Sequence, residues 1–487
     1  MRWSVAASPP ESPERAVFAR RPVLGLAAAF GLLLLVTSGG YGFAGDELYF
    51  IVAGAHPAWG YADQPPLVPV LARALSLVSD SPVVLRLPVT VLMPVALVVT
   101  GLIAWELGGG RRAQLLAAWT FVLAPHVLGD SHNLTKAPIG LGLCTVVVWL
   151  LIRWLRVRDD RHWPAIGAVT ALALQTNHVF AVFWVVAGLV ALGSRGAALL
   201  RSRWFWAGAA IPVVATIPGL LWQARNGWPQ AAMVGEISAA TSSVSGGPRF
   251  VPMVLLTAGL LGGALLCSGL WWLLRFPQHR VLGVTLLVVA VLVWVAGGRR
   301  DYFADVAFPL CWAAGAVAVE QGLTARWWRW VPTWPVMAVS AVVLMRGFVP
   351  LPVEWLGGYD RAFVVVHDED WRGLAETVSV AHQRVPPGTV IIAGDYWHAA
   401  ALDRYGLPSV YGDMRGYWWF GTPPDSRNVL YVGALPRVLE AHCGTTEELA
   451  SHLDTPVHLC SNLDKSLPDL WPQLKHVDRR QEWKERE

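Results

Sequence analysis

About eleven long apolar stretches divide this chain, near residues 22–38, 83–107, 113–129, 137–152, 163–176, 178–193, 205–223, 251–274, 281–296, 304–321 and 331–348. Inside a bilayer no water satisfies peptide N–H and C=O groups, so such a stretch crosses as a helix, and about 20 residues reach from side to side. A chain with this many is confined to a bundle of membrane helices. Its charge follows the same plan. Only 15% of the 487 residues are charged, against roughly 25% in soluble domains, and they collect in the gaps. The sequence therefore predicts a mainly α, polytopic membrane protein of about eleven transmembrane helices.

Arginine in the short loops sets the expected orientation, because cytoplasmic loops are rich in Lys and Arg. One alternate set of loops holds Arg20 and Arg21, Arg111 and Arg112, the run RWLRVRDDR (153–161), Arg201 and Arg203, Arg275 and Arg280, and Arg326 and Arg329. The other set is poorer. The first set, with the N-terminus, is expected in the cytoplasm, and an odd number of spans sends the residues after 348 to the outer side of the plasma membrane. The first apolar run is read as a retained span, since it is long and further spans follow. The net charge of +4 reflects the inside bias and implies no nucleic-acid partner. The 27 Trp, many near span ends, fit an aromatic belt at the headgroup level.

Two regions outside the spans are long enough to carry a function. The first is the loop 39–82. The second is the tail 349–487, where GTVIIAGDYWHAAALDRYG (388–406) reads as a β-branched strand, a polar break and a helix. The expected organisation is a helical domain over 1–348 and an extracytoplasmic α/β domain over 349–487. Cys144, Cys267 and Cys311 fall in apolar stretches as small hydrophobes. Cys443 and Cys460 lie in the tail, where a disulfide persists, and are expected to pair.

The loop 39–82 opens on GDELYF (45–50), with two adjacent acids, Asp46 and Glu47, just beyond the first apolar run. Acids at a helix end that simply meet water are the plain alternative. The rest of the loop argues for more. GYADQPPL (60–67) adds Asp63 and a Pro pair, and proline, with its fixed φ, directs the chain instead of letting it flop. An ordered loop with several acids at the membrane surface is a site candidate.

The stretch GDELYFIVAGAHPAWGYADQPPLVPVLARAL (45–75) resembles the first outer loop of GT-C superfamily glycosyltransferases of the dolichyl-phosphate-mannose type, family 39-like. These include protein O-mannosyltransferases and the bacterial transferase that adds aminoarabinose to lipid A. Further segments resemble the bacterial branch in the same order: WQARNGWPQ (222–230), GGRRDYFADVAFPLCWAAGAVAVE (297–320) and GDYWHAAALDRYGLPSVYGDMRGYWWFGTPP (394–424).

The resemblance implies a GT-C fold, a polyprenyl-phosphate sugar donor and transfer to an extracytoplasmic acceptor with inversion at the anomeric carbon. By resemblance Asp46 is the catalytic base that takes the acceptor proton, with Glu47 sharing acceptor binding or shaping Asp46. It places Arg299, Arg300 and Tyr302 at the donor phosphate, where guanidinium groups offer paired donors. Boundary arginines also snorkel to headgroups, but these two sit on the outer side, against the positive-inside trend. Tyr61, Asp63, Gln64, Asp130 and Lys136 are the expected substrate-binding residues. In the aminoarabinose branch the pair matching Asp63 and Gln64 is acidic then basic and helps hold a metal or the phosphate. Here Gln64 replaces the cation, which leaves Asp63 as a candidate ligand for a divalent metal ion; no other cofactor is implied. Lys136 departs from relatives that carry an acid nearby. His132 and His178 read as structural, and His398, Asp403, Arg415 and Tyr417 of the tail are either acceptor contacts or fold residues. Two other readings remain at this stage: a transporter or flippase of a lipid-linked substrate, and a non-catalytic scaffold of the same fold. The apolar stretches are almost free of acids, which disfavours a mid-membrane ion path.

Overall fold

The computed structural model describes residues 16–195, 197–233, 235, 246–296, 300–323, 330–348 and 370–476. The helical part comprises α1 (Arg20–Thr37), α2 (Gly45–Ala55), α3 (Leu67–Ser76), α4 (Pro82–Glu106), α5 (Arg111–Val122), α6 (Pro125–Asp130), α7 (Lys136–Val157), α8 (Trp163–Leu174), α9 (Phe180–Arg195), α10 (Ala197–Leu200), α11 (Arg203–Arg225), α12 (Phe250–Arg275), α13 (Arg280–Val295), α14 (Arg300–Glu320) and α15 (Trp334–Phe348). Among the described residues, six helical segments are long and apolar enough to cross a membrane: Arg20–Thr37, Pro82–Glu106, Lys136–Val157, Arg203–Arg225, Gly247–Arg275 and Phe303–Glu320. The chain is a multi-pass membrane protein. The other predicted stretches also fall on helices, but shorter ones.

One predicted stretch, 113–129, is two helices. Pro125 opens α6 and leaves Ala124 extended, at φ −96° and ψ 122°, because the residue before a proline is pushed out of the helical region. The break is used in packing. Gly259 interrupts α12 with φ +75°, and a Cβ there would stand 2.9 Å from Pro125 Cδ, so the kink of one helix accommodates the corner of the other.

The tail carries α16 (Trp371–His382), β1 (Val390–Ala393), α17 (Tyr396–Arg404), β2 (Val410–Gly412), β3 (Val429–Val432), α18 (Arg437–Glu440), β4 (Thr445–His452), β5 (Thr455–Ser461) and α19 (Leu467–Leu474). The sheet order is β2-β1-β3-β5-β4. β1 runs parallel to β2 and β3, and β5 runs antiparallel to β3 and β4. Alternate strand residues separate as a period of two requires. Val390, Ile392, Val429, Tyr431 and Cys460 pack with Leu467, Leu470 and Trp471 of α19 on one face. Ile391, Ala393, Leu430 and Val432 belong to the core that continues into the membrane helices. Cys443 and Cys460 are disulfide-bonded, with Cα atoms 5.4 Å apart.

That shared core fixes the tail over the first loop. α17 packs on α2, Trp371 Nε1 donates to Phe43 O at 2.8 Å, and Arg404 Nη2 donates to Asp80 Oδ1 at 2.5 Å.

Candidate active site

The two acids of GDELYF occupy the first turn of α2 and meet different surroundings. Glu47 is fully buried. Arg86 of α4 donates from Nε to its Oε1 at 2.9 Å and from Nη2 to its Oε2 at 2.7 Å. Leu134 N donates to Oε1 and Ala44 N to Oε2, each at 2.9 Å. The second bond closes the start of α2, where Ala44 has no side-chain oxygen to serve as a cap. Arg86, 1% exposed, also donates to Ser38 O at 2.6 Å and Gly42 O at 2.7 Å, and its guanidinium lies 3.8 Å from the centre of the Tyr41 ring. The Tyr41 hydroxyl in turn donates to His132 O. One buried ion pair thus ties loop 38–47, α4 and the turn before α7 together.

Asp46 is half-buried and turns to the tail. Its Oδ1 accepts from Tyr396 Oη and from Trp397 Nε1, both at 2.8 Å. No described residue donates to Oδ2. Gly45 permits this approach, because a Cβ there would fall 2.3 Å from Trp397 Cγ. Burial, then the Asp46 carboxylate, hold the Tyr396 phenol well above its ordinary pKa, so it stays a donor.

Asp63 lies on the same side. Tyr49 Oη donates to its Oδ1 at 2.8 Å, and Lys136 Nζ donates to its backbone oxygen at 3.4 Å. Burial and then Asp63 raise the Tyr49 phenol. Gln64 is 2% exposed, yet neither its Nε2 nor its Oε1 has a hydrogen-bond partner among the described residues. Tyr61 N donates to Gln64 O at 2.9 Å, while Tyr61 O accepts from Gln223 Nε2 at 3.0 Å and Gln230 Nε2 at 3.1 Å. The WQARNGWPQ segment therefore holds the turn at Tyr61 in place. A cavity of about 400 Å³ opens beside it, lined by His56, Tyr61, Trp222, Asn226, Gly416 and Phe420 among others. Phe420 stacks on His56 with ring centres 4.6 Å apart, and burial lowers the His56 pKa.

From the tail, Arg415 places its guanidinium 4.1 Å from the centre of the Tyr396 ring. Burial works against its charge, but Tyr396, Asp63, Asp46 and Tyr49 together hold its pKa above the ordinary value. Next to it, Gly416 touches the Tyr49 hydroxyl so closely that a Cβ would stand 2.0 Å away.

Asp130 ends α6 and pairs with His126 Nδ1 at 3.1 Å; His126 Nε2 meets the buried Asp305 of α14 at 3.1 Å. α14 opens at Arg300 and carries Tyr302 in its first turn, while Arg299 lies outside the described residues. His132 is buried, which lowers its pKa to about 4, and its Nδ1 bonds Leu128 O at 2.8 Å. His178 Nδ1 bonds Gln230 at 2.9 Å. His398 sits edge-on to Trp371, and Asp403 stands by His56 and Tyr417. Among the described residues, no three His, Cys, Asp or Glu side chains are grouped so as to hold a metal ion. Asp63, with Tyr49 already on its Oδ1, does not by itself fit one. A larger cavity of about 890 Å³ runs along α12 from Pro252 to Trp271 and contains none of the candidate residues.

A sequence profile of the family described as dolichyl-phosphate-mannose-protein mannosyltransferase matches residues 63–222. ArnT from Cupriavidus metallidurans bound to undecaprenyl phosphate superposes with a TM-score of 0.58 at 18% identity, covering 94% of this chain and 100% of that one. Its apo state gives a TM-score of 0.60 at 15% identity, covering 94% and 99%. The chain has the GT-C fold. No curated protein sequence matches it. The profile match takes in Asp63, Gln64, Asp130 and Lys136 but begins after Asp46 and Glu47. Sequence reasoning missed Arg86, Tyr396 and Trp397 as parts of the site. A signal existed for Arg86, an arginine four residues into an otherwise apolar helix. The two aromatics lie about 350 residues from Asp46 along the chain, and only the fold brings them there.

Proposed function

We propose that this chain is an integral-membrane glycosyltransferase. It takes a sugar from a polyprenyl-phosphate-linked donor and passes it to a hydroxyl of an extracytoplasmic acceptor, with inversion. Asp46 is the base. The single observation that carries this reading is the state of its carboxylate: two donors from the tail hold Oδ1, and no described residue donates to Oδ2. In the step proposed, the acceptor hydroxyl gives its proton to Oδ2 as its oxygen bonds the anomeric carbon. The bond from that carbon to the phosphate oxygen breaks, and polyprenyl phosphate leaves with the electron pair. A positioned base of this kind contributes about 10²–10⁴-fold in rate.

The remaining residues take supporting parts in the proposal. Glu47, with four hydrogen bonds of its own, positions Asp46. Tyr61, Asp63, Gln64 and Lys136 line the substrate side. Arg299, Arg300 and Tyr302 are assigned to the donor phosphate, and Asp130 to the substrate side through its His126 link. The lipid bilayer holds the donor tail. The GT-C fold shared with an ArnT that binds undecaprenyl phosphate supports this donor class.

The same reading puts the chain in the plasma membrane with its tail outside and the domain division at 348/349. In support, the tail packs at the Pro82 end of α4, whereas Glu106 at the far end pairs with Arg153 and Arg156 of the Arg-rich loop. Proteoliposomes given labelled polyprenyl-phosphate sugars and envelope acceptors test the proposal. Transfer by the wild type that falls by about 10²–10⁴ in Asp46→Asn, with an unchanged unfolding midpoint, is the expected result. Translocation of the donor without transfer, or full activity in Asp46→Asn, would refute it.

A further inference from the structure

Arg415 and Gln64 stand out among the polar side chains near Asp63. Each carries buried polar atoms without a hydrogen-bond partner among the described residues: Nε of Arg415, and both amide atoms of Gln64. A buried donor left unmade is costly, and a guanidinium has five donors in a fixed fork. Arg415 makes no ion pair within 4 Å among the described residues; its recorded contact is with the face of the Tyr396 ring, 4.1 Å away. An arginine kept only for packing would be expected to direct its fork at the nearest carboxylate. Here Asp46 is bonded by Tyr396 and Trp397, and Asp63 by Tyr49.

The loop itself is short of cations. Gln64, next to Asp63, is neutral, and Lys136 Nζ reaches only the Asp63 backbone oxygen, at 3.4 Å. A tetrahedral anion suits this guanidinium. Its oxygens can take the Arg415 fork and make the bond missing at Nε, which the Tyr396 ring face and carboxylates bonded through Oδ1 to other donors leave unmade.

We infer that Arg415, reaching down from the tail beside Asp63 and Gln64, binds the phosphate of the lipid-linked donor and so supplies the cation that the loop lacks. This rests on the donor class proposed above and adds the tail to the donor site. Binding of the lipid then also latches the tail over α2, because Arg415 lies on Tyr396, which holds Asp46.

The test uses the full chain in detergent and native mass spectrometry with undecaprenyl phosphate, and with undecaprenol, which has the same tail and no phosphate. Wild type is expected to retain the phosphate lipid at least about tenfold better, Arg415→Gln to lose about tenfold of that preference, and Arg415→Lys to keep part of it. Arg415→Gln with the wild-type preference overturns the assignment and leaves the donor class standing. A wild type that does not distinguish the two lipids overturns both. Hydrogen exchange on the wild type covers the case in which Arg415→Gln does not fold. Slower exchange over 412–420 with undecaprenyl phosphate, but not with undecaprenol, supports the inference. Slowing by inorganic phosphate alone overturns the lipid as its source.

Discussion

Replacing Arg86 by Met should damage both stability and turnover, by amounts that follow from its bonds. Arg86 supplies two of the four hydrogen bonds to Glu47 and also satisfies the Ser38 and Gly42 carbonyls. Removing one partner of a buried pair costs roughly 3–5 kcal/mol, mostly because the other charge is stranded. Each buried carbonyl left bare adds about 1–3 kcal/mol, less whatever water recovers. The loss should therefore reach at least about 4 kcal/mol. Glu47→Gln should also destabilise, because its one amide oxygen can accept from Leu134 or from Ala44 but not from both, and its NH2 then turns a donor toward Arg86. Glu47→Leu combined with Arg86→Met should be less harmful than the two single losses added, with a coupling of about 2 kcal/mol or more, since no charge is then uncompensated. Unfolding midpoints in detergent measure the first effect. Turnover, read well below the midpoint, measures the second. It should fall by about 10²-fold in Arg86→Met, because a shift near 1 Å at the start of α2 moves Asp46 off line. Single variants with wild-type midpoints and wild-type turnover would show that the pair anchors nothing.

Other expectations are simpler. Gly45→Ala should improve local helix propensity by up to about 1 kcal/mol yet reduce transfer at least about tenfold, because its Cβ would stand 2.3 Å from the Trp397 ring; wild-type transfer would refute the contact between tail and Asp46. Burial raises the Asp413 carboxyl from 3.8 to about 6, against the opposing pull of His476 and Tyr431. The folded state therefore holds that proton more tightly than the unfolded one. Its stabilisation is complete below about pH 4 and lost as pH rises through about 6, roughly 3 kcal/mol in all; Asp413→Asn should flatten the midpoint-versus-pH curve over that window, and an unchanged slope would refute it. Cys443→Ser with Cys460→Ser opens a link between residues 17 apart and should cost the tail about 3 kcal/mol, read as an earlier unfolding transition that reductant no longer shifts.

Much of the helical part was legible in the sequence because hydropathy is local. Each predicted apolar stretch lies on helix, and Pro125 marked the break inside 113–129, though reading that stretch as continuous ignored it. The strand at Val390–Ala393 and the helix after it were likewise readable, since GTVIIAGDYWHAAAL carries a β-branched run, a polar break and then a helical pattern. The site was legible only in part. Asp46, Glu47 and Asp63 announced themselves as acids where a membrane chain has few. What each acid meets was hidden, because Arg86, Leu134, Tyr396 and Trp397 are contributed by segments far apart in the chain. Gln64 is the clearest case. The family resemblance implies a cation where Gln64 stands, and only the fold puts Arg415 near the neighbouring Asp63 carboxylate.

Adjacent acids at a helix start look redundant in a sequence, but successive residues on an α-helix point about 100° apart. α2 lies between the membrane helices and the tail, so this divergence sends Glu47 to Arg86 of α4 and Asp46 to Tyr396 and Trp397 of the tail. The two carboxylates therefore divide the work. A fully bonded acid is a poor base, since each of its lone pairs is engaged, but it is a rigid anchor. A half-buried acid held by one oxygen is a poor anchor but keeps the other oxygen in a fixed direction. Exchanging their surroundings would leave neither task done. For the proposed transfer the consequence is that the base is aligned from two sides at once, by a buried pair within the bilayer-facing core and by aromatic donors from the tail. Its direction thus depends on the tail staying docked on α2, and the 350 residues between Asp46 and Tyr396 are part of the site's geometry as much as the six of GDELYF.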